Sequence, residues 1–365
     1  NASQCKEASI LYFLQHILVH IGDLYRYSNQ IDLAKTFYQY SIETIPYLGQ
    51  PYNQIAILHE MKNPQSLLTS EQNQLITVYY YIRSIAIKVP FPLARANLDK
   101  FFQRLKTQPQ EPSKDIYFLI LQILAGNHIE QIDSFQQLIS KQFHSKIFLQ
   151  MIAILMFYIH QNQNQTSTQL SLKYLLQLLV IIIEQCLQLP LQNEQDIIPI
   201  IYIIFAYFVQ VQKYQNDLFE NEIFKQKINM WNLLAKLLRS FGVSATKTTL
   251  LDMYADYPLD EERFFECFLP LNDLLKTYNY KKKFSISEKD QRQLRKVRLV
   301  NLIKNLCEDK TIKTKFGDYL SVSIRDDLVS FQPVLNESKV AIKTPRVTRN
   351  VALRQFLETT TDENH

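Results

Sequence analysis

Glycine is so scarce in this chain that it restricts the possible folds more than any other feature. Only 5 of the 365 residues are glycine, whereas globular proteins average roughly 7%. The glycines lie too far apart to form G-x-G-x-x-G or G-x-x-x-x-G-K, the loops that bring backbone close to phosphates. Sheets and barrels also need glycine in turns and bulges. The sequence therefore predicts an all-α protein without a dinucleotide or P-loop nucleotide site.

Cysteine spacing and hydropathy exclude several further classes. The four cysteines form no C-x-x-C pair, which argues against a zinc site, a redox pair and a disulfide framework. The longest apolar run, residues 197–209, contains Pro199 and is shorter than the roughly 18 residues of a membrane span. We expect no metal, no cofactor and no membrane association. A reducing compartment points to the cytoplasm, with shuttling to the nucleus left open.

A helical repeat occupies the first hundred residues. Its spacing is close to the tetratricopeptide pattern. That pattern has, in order, a large residue, Leu-Gly, a Tyr, an Ala, an aromatic residue, a small residue and a Pro. The first copy consists of Leu18, Ile21, Gly22, Tyr25, Ala34, Tyr38, Ser41 and Pro46, and a degenerate second copy runs from Asn53 to Pro90. Small Gly22 and Ala34 would let two antiparallel helices approach closely. Two copies do not stack stably alone, so further helices must pack beside them.

The tetratricopeptide-like spacing is lost after about Phe101. Residues 106–113 read as a polar linker with two prolines, as is typical of a break between elements. Beyond it the apolar pattern predicts six helices, over 116–124, 129–143, 146–160, 170–187, 196–213 and 220–241. Residues 290–306 form a basic amphipathic helix, 320–324 an extended segment, and the tail from Thr344 is polar.

Three stretches resemble a known family. They read VHIGDLYRYSNQ from Val19, GQPYNQIAIL from Gly49 and YYYIRSIAIKVPFPLARANL from Tyr79. Together they resemble the 14-3-3-like tetratricopeptide region of the EST-one/SMG family of nonsense-mediated mRNA decay, and VPFP followed by ANL is most similar to its SMG-seven branch.

The resemblance implies an architecture for the whole chain. Residues 1–106 would be a 14-3-3-like/TPR domain, 107–350 an α-helical hairpin domain and 351–365 a tail. Only about twenty residues precede GDLYRY. The helices that complete the 14-3-3-like fold, and that supply another basic residue of its phosphopeptide pocket, are therefore expected outside this chain.

The resemblance also implies three phosphopeptide-binding residues. GDLYRY is similar to a 14-3-3 motif whose Arg-Tyr pair holds phosphate, which points to Arg26 and Tyr27. Asn53, in PYNQ, matches the asparagine that fixes the peptide backbone. In the tetratricopeptide frame, Arg26 and Asn53 also fall on groove-lining positions, and Arg offers a bidentate fork to phosphate. The alternative is that Arg26 pairs with Asp23 and only closes the fold.

Other polar residues favour ordinary structural roles. Arg83 could extend the basic groove, but it is expected to be a solvated side chain beside core aromatics. His16 could line the groove, but it is expected to be an ordinary half-buried histidine. His16 and His20 have the i, i+4 spacing of metal ligands, but no third ligand accompanies them. The consecutive acids of residues 260–262 resemble a helix N-terminus, where carboxylates suit the helix dipole, rather than a catalytic pair.

A basic stretch runs from Tyr280 to Lys315. It holds 12 Lys and Arg against 4 Asp and Glu, a net +8, so the rest of the chain carries −3 of the total +5. Such a helix could contact nucleic acid, through Arg292, Arg295 and Arg298, or an acidic partner, although the default is a solvated helix face. No aromatic residues for base stacking are interleaved in its helical part.

These features predict an adaptor rather than an enzyme, because no catalytic constellation is found. By resemblance, the ligand is the phosphorylated UPF-one helicase, the paralogue in a heterodimer is SMG-five-like, and the complex recruits mRNA decay machinery. The alternative is an EST-one-like, telomerase-associated protein that contacts RNA through the basic stretch.

Overall fold

The computed structural model is helical apart from one β-hairpin in the part of the chain that it describes. That part comprises residues 2–61, 69–107, 120–121, 145–161, 165–188, 194–212, 224, 228–244, 249–282, 286–308 and 315–334. Within it the all-α prediction is confirmed. The predicted helices at 116–124 and 129–143, most of the linker and the tail lie outside the described residues. Residues 1–334 cluster as one compact unit.

Five helices build the N-terminal half. They are α1 (Ala2–Tyr27), α2 (Ile31–Thr44), α3 (Gln50–Glu60), α4 (Ser70–Ile85) and α5 (Ala94–Thr107). The first four pack as two antiparallel hairpins, as the repeat predicts. A β-carbon on Gly22 would lie 2.5 Å from the ring of Tyr38, and Ala34 is fully buried. These small residues therefore set the close approach of α1 and α2.

Local sequence explains where these helices begin and end. Ile45 is extended after α2 because a residue before proline avoids the helical region. Thr69 and Gln72 form a reciprocal capping box at the start of α4, which satisfies two otherwise orphan backbone donors. Gly49 precedes α3, and a β-carbon there would lie 2.4 Å from the carbonyl oxygen of Ser84, so only glycine fits that contact.

The second half is built around three apolar helices. These are α6 (Ser145–Gln161), α7 (Gln165–Gln188) and α8 (Glu194–Gln212), close to the predicted ranges, although α7 begins inside the expected 161–168 loop. By length and composition, one described helix, Thr168–Leu187, could cross a membrane, but 61% of its apolar window is buried in the protein. Burial on this scale is typical of a core helix.

Five further helices and a hairpin complete the described part of the fold. The helices are α9 (Ile228–Ser240), α10 (Thr249–Met253), α11 (Asp260–Phe264), α12 (Asn272–Leu275) and α13 (Glu288–Glu308), with 3₁₀ turns at Leu269–Leu271 and Lys315–Asp318. The strands β1 (Leu320–Arg325) and β2 (Leu328–Pro333) pair antiparallel from Leu320↔Pro333 to Arg325↔Leu328. Buried Trp231 of α9 stacks on Tyr319 at 4.8 Å, which anchors the hairpin to the helical core.

Contacts also join the first hairpins to residues far along the chain. Tyr79 stacks on Phe264 at 5.3 Å, and the backbone N–H of Leu269 donates to the carbonyl of Ala86 at 3.0 Å. Together with the hydrogen bond from Arg83 to the carbonyl of Glu266, these contacts show that α11 and the segment after it cover the C-terminal half of α4. The predicted boundary between residues 106 and 107 remains a prediction, and these contacts bridge it.

Candidate functional site

Asp23 is the centre of a polar cluster at the C-terminal end of α1. Its Oδ1 atom accepts hydrogen bonds from the Tyr38 hydroxyl at 2.7 Å, from Gln54 Nε2 at 2.7 Å and from Arg26 Nη2 at 3.2 Å. The donors come from α1, α2 and α3. One carboxylate oxygen thus joins the first three helices, and it fixes the side chain of Arg26 relative to them.

The guanidinium of Arg26 lies over the ring of Tyr27. The distance from Arg26 Cζ to the ring centroid is 4.3 Å, and Nε donates to the Tyr38 hydroxyl at 3.3 Å. The Arg26 side chain is 15% exposed, and its hydrogen bonds to Tyr38 and Asp23 use Nε and Nη2. Burial acts to lower the pKa of Arg26, but hydrogen bonds with Tyr38, Tyr27 and Asp23 raise it overall. Arg26 is therefore a permanent cation whose Nη1 is not used by Tyr38 or Asp23.

The end of α1 places this cation. Asn29 has a φ of 60°, the left-handed conformation that often ends helices. The backbone N–H of Gln30 returns to the carbonyl of Tyr25 at 2.8 Å. Arg26 therefore lies in the last helical turn, where a positive charge interacts favourably with the helix dipole.

Asn53 lies next to this cluster and is connected to it. Its side chain accepts from Asn97 Nδ2 at 3.0 Å and donates to Gln54 Oε1 at 3.4 Å. Since Gln54 donates to Asp23, an unbroken chain of hydrogen bonds runs from Asn97 to Arg26. Asn53 is only 2% exposed, so its amide could contact only a peptide that packs directly against it.

The three predicted residues are thus brought together in two ways. Arg26 and Tyr27 are in direct contact, and Asn53 is linked to them through Gln54. The pairing of Arg26 with Asp23, expected as the alternative, is also present, and it neutralises the local charge. A doubly charged phosphate here therefore needs a further cation, which the family resemblance assigns to helices upstream of this chain.

A groove that the sequence did not predict lies between α3, α4 and α5. Its volume is about 560 Å³, and it is lined by Ile57, Glu60, Tyr81, Asn97, Lys100, Gln103, Arg104 and Thr107. The Glu60 carboxylate accepts hydrogen bonds from the Tyr81 hydroxyl and from Arg104. A sequence signal existed, because Asn97, Lys100 and Arg104 follow an i, i+3, i+7 stripe on one helix face.

Arg83 is not the solvated side chain that was predicted. It is 2% exposed, and its Nη2 donates to the carbonyl of Glu266 at 2.7 Å and to the Tyr52 hydroxyl at 3.4 Å. Its guanidinium carbon lies 5.2 Å from the ring centroid of Phe268. The prediction failed because Glu266 is 183 residues away in sequence, beyond the reach of local patterns.

The basic helix was also misinterpreted as a solvated face. In α13, Arg295 forms two hydrogen bonds of 2.9 Å with Glu261, and Arg298 donates to Glu262 at 2.7 Å. All four residues are buried. The apolar face of this amphipathic helix, formed by Leu294, Val297, Val300 and Ile303, is buried. Of the three candidate RNA-contacting arginines, Arg292 alone keeps partial exposure, and it pairs with Glu288 at 3.4 Å.

The acids at residues 260–262 do begin a helix, α11, as predicted. The Glu262 carboxylate also accepts from the backbone N–H of Leu259 at 2.6 Å. Sequence spacing could not show that Glu261 and Glu262 pair with arginines more than thirty residues later.

The two α1 histidines form no metal site in the described structure. His16 and His20 approach with their Nε2 atoms 3.0 Å apart on the exposed face of the helix. Among the described residues, no group of three or more His, Cys, Asp or Glu side chains could hold a metal ion. The expectation that His16 is half-buried is wrong, because it lies on the exposed side.

Comparison with known proteins places this geometry in a family context. Residues 34–116 and 127–275 match the family described as the Est1 DNA/RNA binding domain. Nonsense-mediated mRNA decay factor SMG7 of Danio rerio is 45% identical over 93 residues, which is 26% of this chain and 7% of that protein. Factor SMG5 of the same organism is 32% identical over 93 residues, 24% of this chain and 8% of that protein. The matches thus span less than a tenth of either relative.

The fold is shared with a solved structure. A chain of the crystal structure of Est1 and Cdc13 superposes with a TM-score of 0.61 at 14% identity, covering 88% of this chain and 72% of that one. At this identity the likeness concerns the helical architecture alone.

Proposed function

The chain belongs to the family of the Est1 DNA/RNA binding domain, and we propose that it acts as a phosphopeptide-recognising adaptor in nonsense-mediated mRNA decay. The proposed ligand is a phosphorylated segment of the UPF-one helicase. An SMG-five-like paralogue would form the heterodimer, and the complex would recruit mRNA decay factors. Similarity to relatives named as decay factors supports this class of function.

One observation carries the proposal. Arg26 is held by Asp23, Tyr38 and Tyr27, while its hydrogen bonds to Asp23 and Tyr38 leave Nη1 unused. A phosphoserine brings about −1.5 to −2 charges and three acceptor oxygens. A fixed guanidinium with a free edge offers the charge-assisted hydrogen bond that such a group accepts. Tyr27, which is 76% exposed, would add its hydroxyl.

The direct test is binding of fluorescent peptides from the helicase, with and without phosphoserine. The protein would include the upstream helices that the family resemblance implies. We expect Arg26→Glu to weaken binding of the phosphorylated peptide at least about tenfold, because a charge contact is replaced by repulsion. Arg239→Glu, the same change at an exposed position of α9, is the matched control and should leave affinity unchanged.

Two results would contradict the proposal. The first is undiminished binding by Arg26→Glu. The second is loss of the fold, measured by circular dichroism, because Arg26 would then be a structural ion-pair residue. If peptide affinity stays intact while pairing with the paralogue is lost, the surface serves dimer formation instead.

The EST-one-like alternative receives less support from the described residues. Its proposed RNA contact depended on Arg292, Arg295 and Arg298. Arg295 and Arg298 are buried in ion pairs. RNA contact by the protein would need other cations.

A further inference from the structure

The groove between α3, α4 and α5 is not used by the phosphate contact. It has a mixed lining in which the polar side chains are Glu60, Tyr81, Asn97, Lys100, Gln103, Arg104 and Thr107. A cavity of about 560 Å³ has the size of pockets that take a few side chains of a ligand. Its chemistry therefore indicates a polar segment rather than an apolar helix.

The groove and the Arg26 cluster are joined by one chain of hydrogen bonds. Asn97 lines the groove and donates to Asn53, which is joined through Gln54 to Asp23. Along α3, Glu60 follows Asn53 by seven residues, which corresponds to about 10 Å at 1.5 Å per residue. An extended peptide advances about 3.3 Å per residue. A peptide that passes Asn53 and follows α3 would therefore bring its third residue level with Glu60.

The charged side chains of the groove near Glu60 are predominantly positive. Lys100 is exposed and has no hydrogen-bond or ion-pair partner among the described residues. Arg104 has a side chain that is 61% exposed and pairs with Glu60. Glu60 is also engaged by the hydroxyl of Tyr81, so a single acid serves two donors while Lys100 stays unmatched. A carboxylate from outside would complete this arrangement.

We propose that the groove binds an acidic segment of the same phosphorylated ligand. Lys100 and Arg104 would pair with a carboxylate about three residues along the ligand from the residue that lies beside Asn53. The inference rests on the proposed function and adds a determinant of specificity to it. Glu60 competes with the ligand carboxylate for Arg104, so it limits how tightly an acidic segment binds.

The test uses phosphoserine peptides that carry glutamates two to four residues before or after the phosphoserine, each matched by a peptide with glutamines instead. We expect the better-placed glutamate peptide to bind about threefold to tenfold more tightly, since each exposed ion pair contributes modestly. The preference should shrink as salt is raised. The same peptides without phosphate complete the set.

Three variants of the protein assign the effect to the groove. Lys100→Gln combined with Arg104→Gln should abolish the preference for glutamate while phosphate dependence persists. Glu60→Gln keeps an acceptor for Tyr81 and frees Arg104, so it should raise affinity for the glutamate peptide a few fold. Lys106→Gln, on the same helix outside the groove lining, should change neither; melting curves would confirm that all variants fold.

The outcomes separate this inference from the proposed function. Equal binding of glutamate and glutamine peptides, or a preference that survives in the double variant, overturns the inference while phosphate dependence stands. A preference that requires Lys100 and Arg104 but is indifferent to phosphate overturns the proposed function and shows the groove to be an acidic-peptide site by itself. Absence of binding by every peptide overturns both.

Discussion

Tyr38 donates its hydroxyl hydrogen to Asp23 Oδ1 at 2.7 Å across the seam between α1 and α2. The same hydroxyl accepts from Arg26 Nε at 3.3 Å. One tyrosine therefore holds both members of the Arg26–Asp23 ion pair. The orientation of Arg26 depends on the packing of the first hairpin and not on α1 alone.

We expect Tyr38→Phe to lower the free energy of unfolding by about 1.5–3 kcal/mol, the range for a hydrogen bond to a charged group. Denaturation in urea would measure it. Tyr40→Phe on the same helix is the control, because Tyr40 is half exposed and its hydroxyl has no hydrogen bond among the described residues. An equal loss in both variants would mean that the Tyr38 hydroxyl has no special role.

Gly22→Ala should destabilise the protein by about 1–3 kcal/mol, as overpacking does. The direction of the stability change is informative, because alanine in a helix interior is otherwise favoured over glycine by about 1 kcal/mol. The added carbon would meet the Tyr38 ring, which Asp23 holds in place. Thermal unfolding would measure the change, with Gly317→Ala as control because a β-carbon there lies 3.6 Å from its nearest neighbour. Stabilisation by Gly22→Ala would contradict the observed helix approach.

Loss of a buried cation in α13 should be severe. Arg298→Gln leaves Glu262 fully buried without its ionic partner, and such a broken pair costs about 3–5 kcal/mol. Lys289→Gln, at the exposed start of the same helix, should be neutral within about 0.5 kcal/mol. Chemical denaturation would compare the two variants, and a similar effect in both would show that Arg298 is not structural.

Stability should fall as the solution is made mildly acidic, through His59. Burial, with repulsion from Lys35, lowers the pKa of His59 from 6.5 to about 4. Between these values the unfolded chain binds more protons than the folded one, so the free energy of unfolding falls as pH drops from 6.5 toward 4. At pH 5 the loss is about 2 kcal/mol. His59→Gln should remove this part of the pH dependence, measured by urea denaturation at pH 7.5 and pH 5; an unaltered dependence would exclude His59 as its source.

Local patterns sufficed for the first hairpin and for the apolar helices α6, α7 and α8. Gly22, Ala34 and Tyr38 occupy the positions that the repeat assigns to them, because contacts between neighbouring helices are short in sequence and their spacing is regular. The neighbourhood of Arg26 was also partly predictable, since Asp23 and Tyr27 lie within one turn of it.

Contacts distant in sequence were not predictable. Nothing near Arg83 indicates that Glu266 would take its guanidinium, and a count of charges in 280–315 does not distinguish a solvated arginine from one paired with a buried acid. The groove beside Asn97 arises where three helices meet, so its volume depends on packing and not on any one segment. Gln54 was overlooked because its role follows from a carboxylate 31 residues earlier.

The contact between Arg83 and the carbonyl of Glu266 has a consequence for how the chain is made. A ribosome synthesises Arg83 183 residues before its partner, and N-terminal segments generally fold first during synthesis. The first hairpins can form early because their contacts are local. The last turn of α4 must wait, with its guanidinium in water, until the segment after α11 emerges and covers it. Protection of the last turn of α4 should therefore arise late in translation, after the rest of that helix is protected.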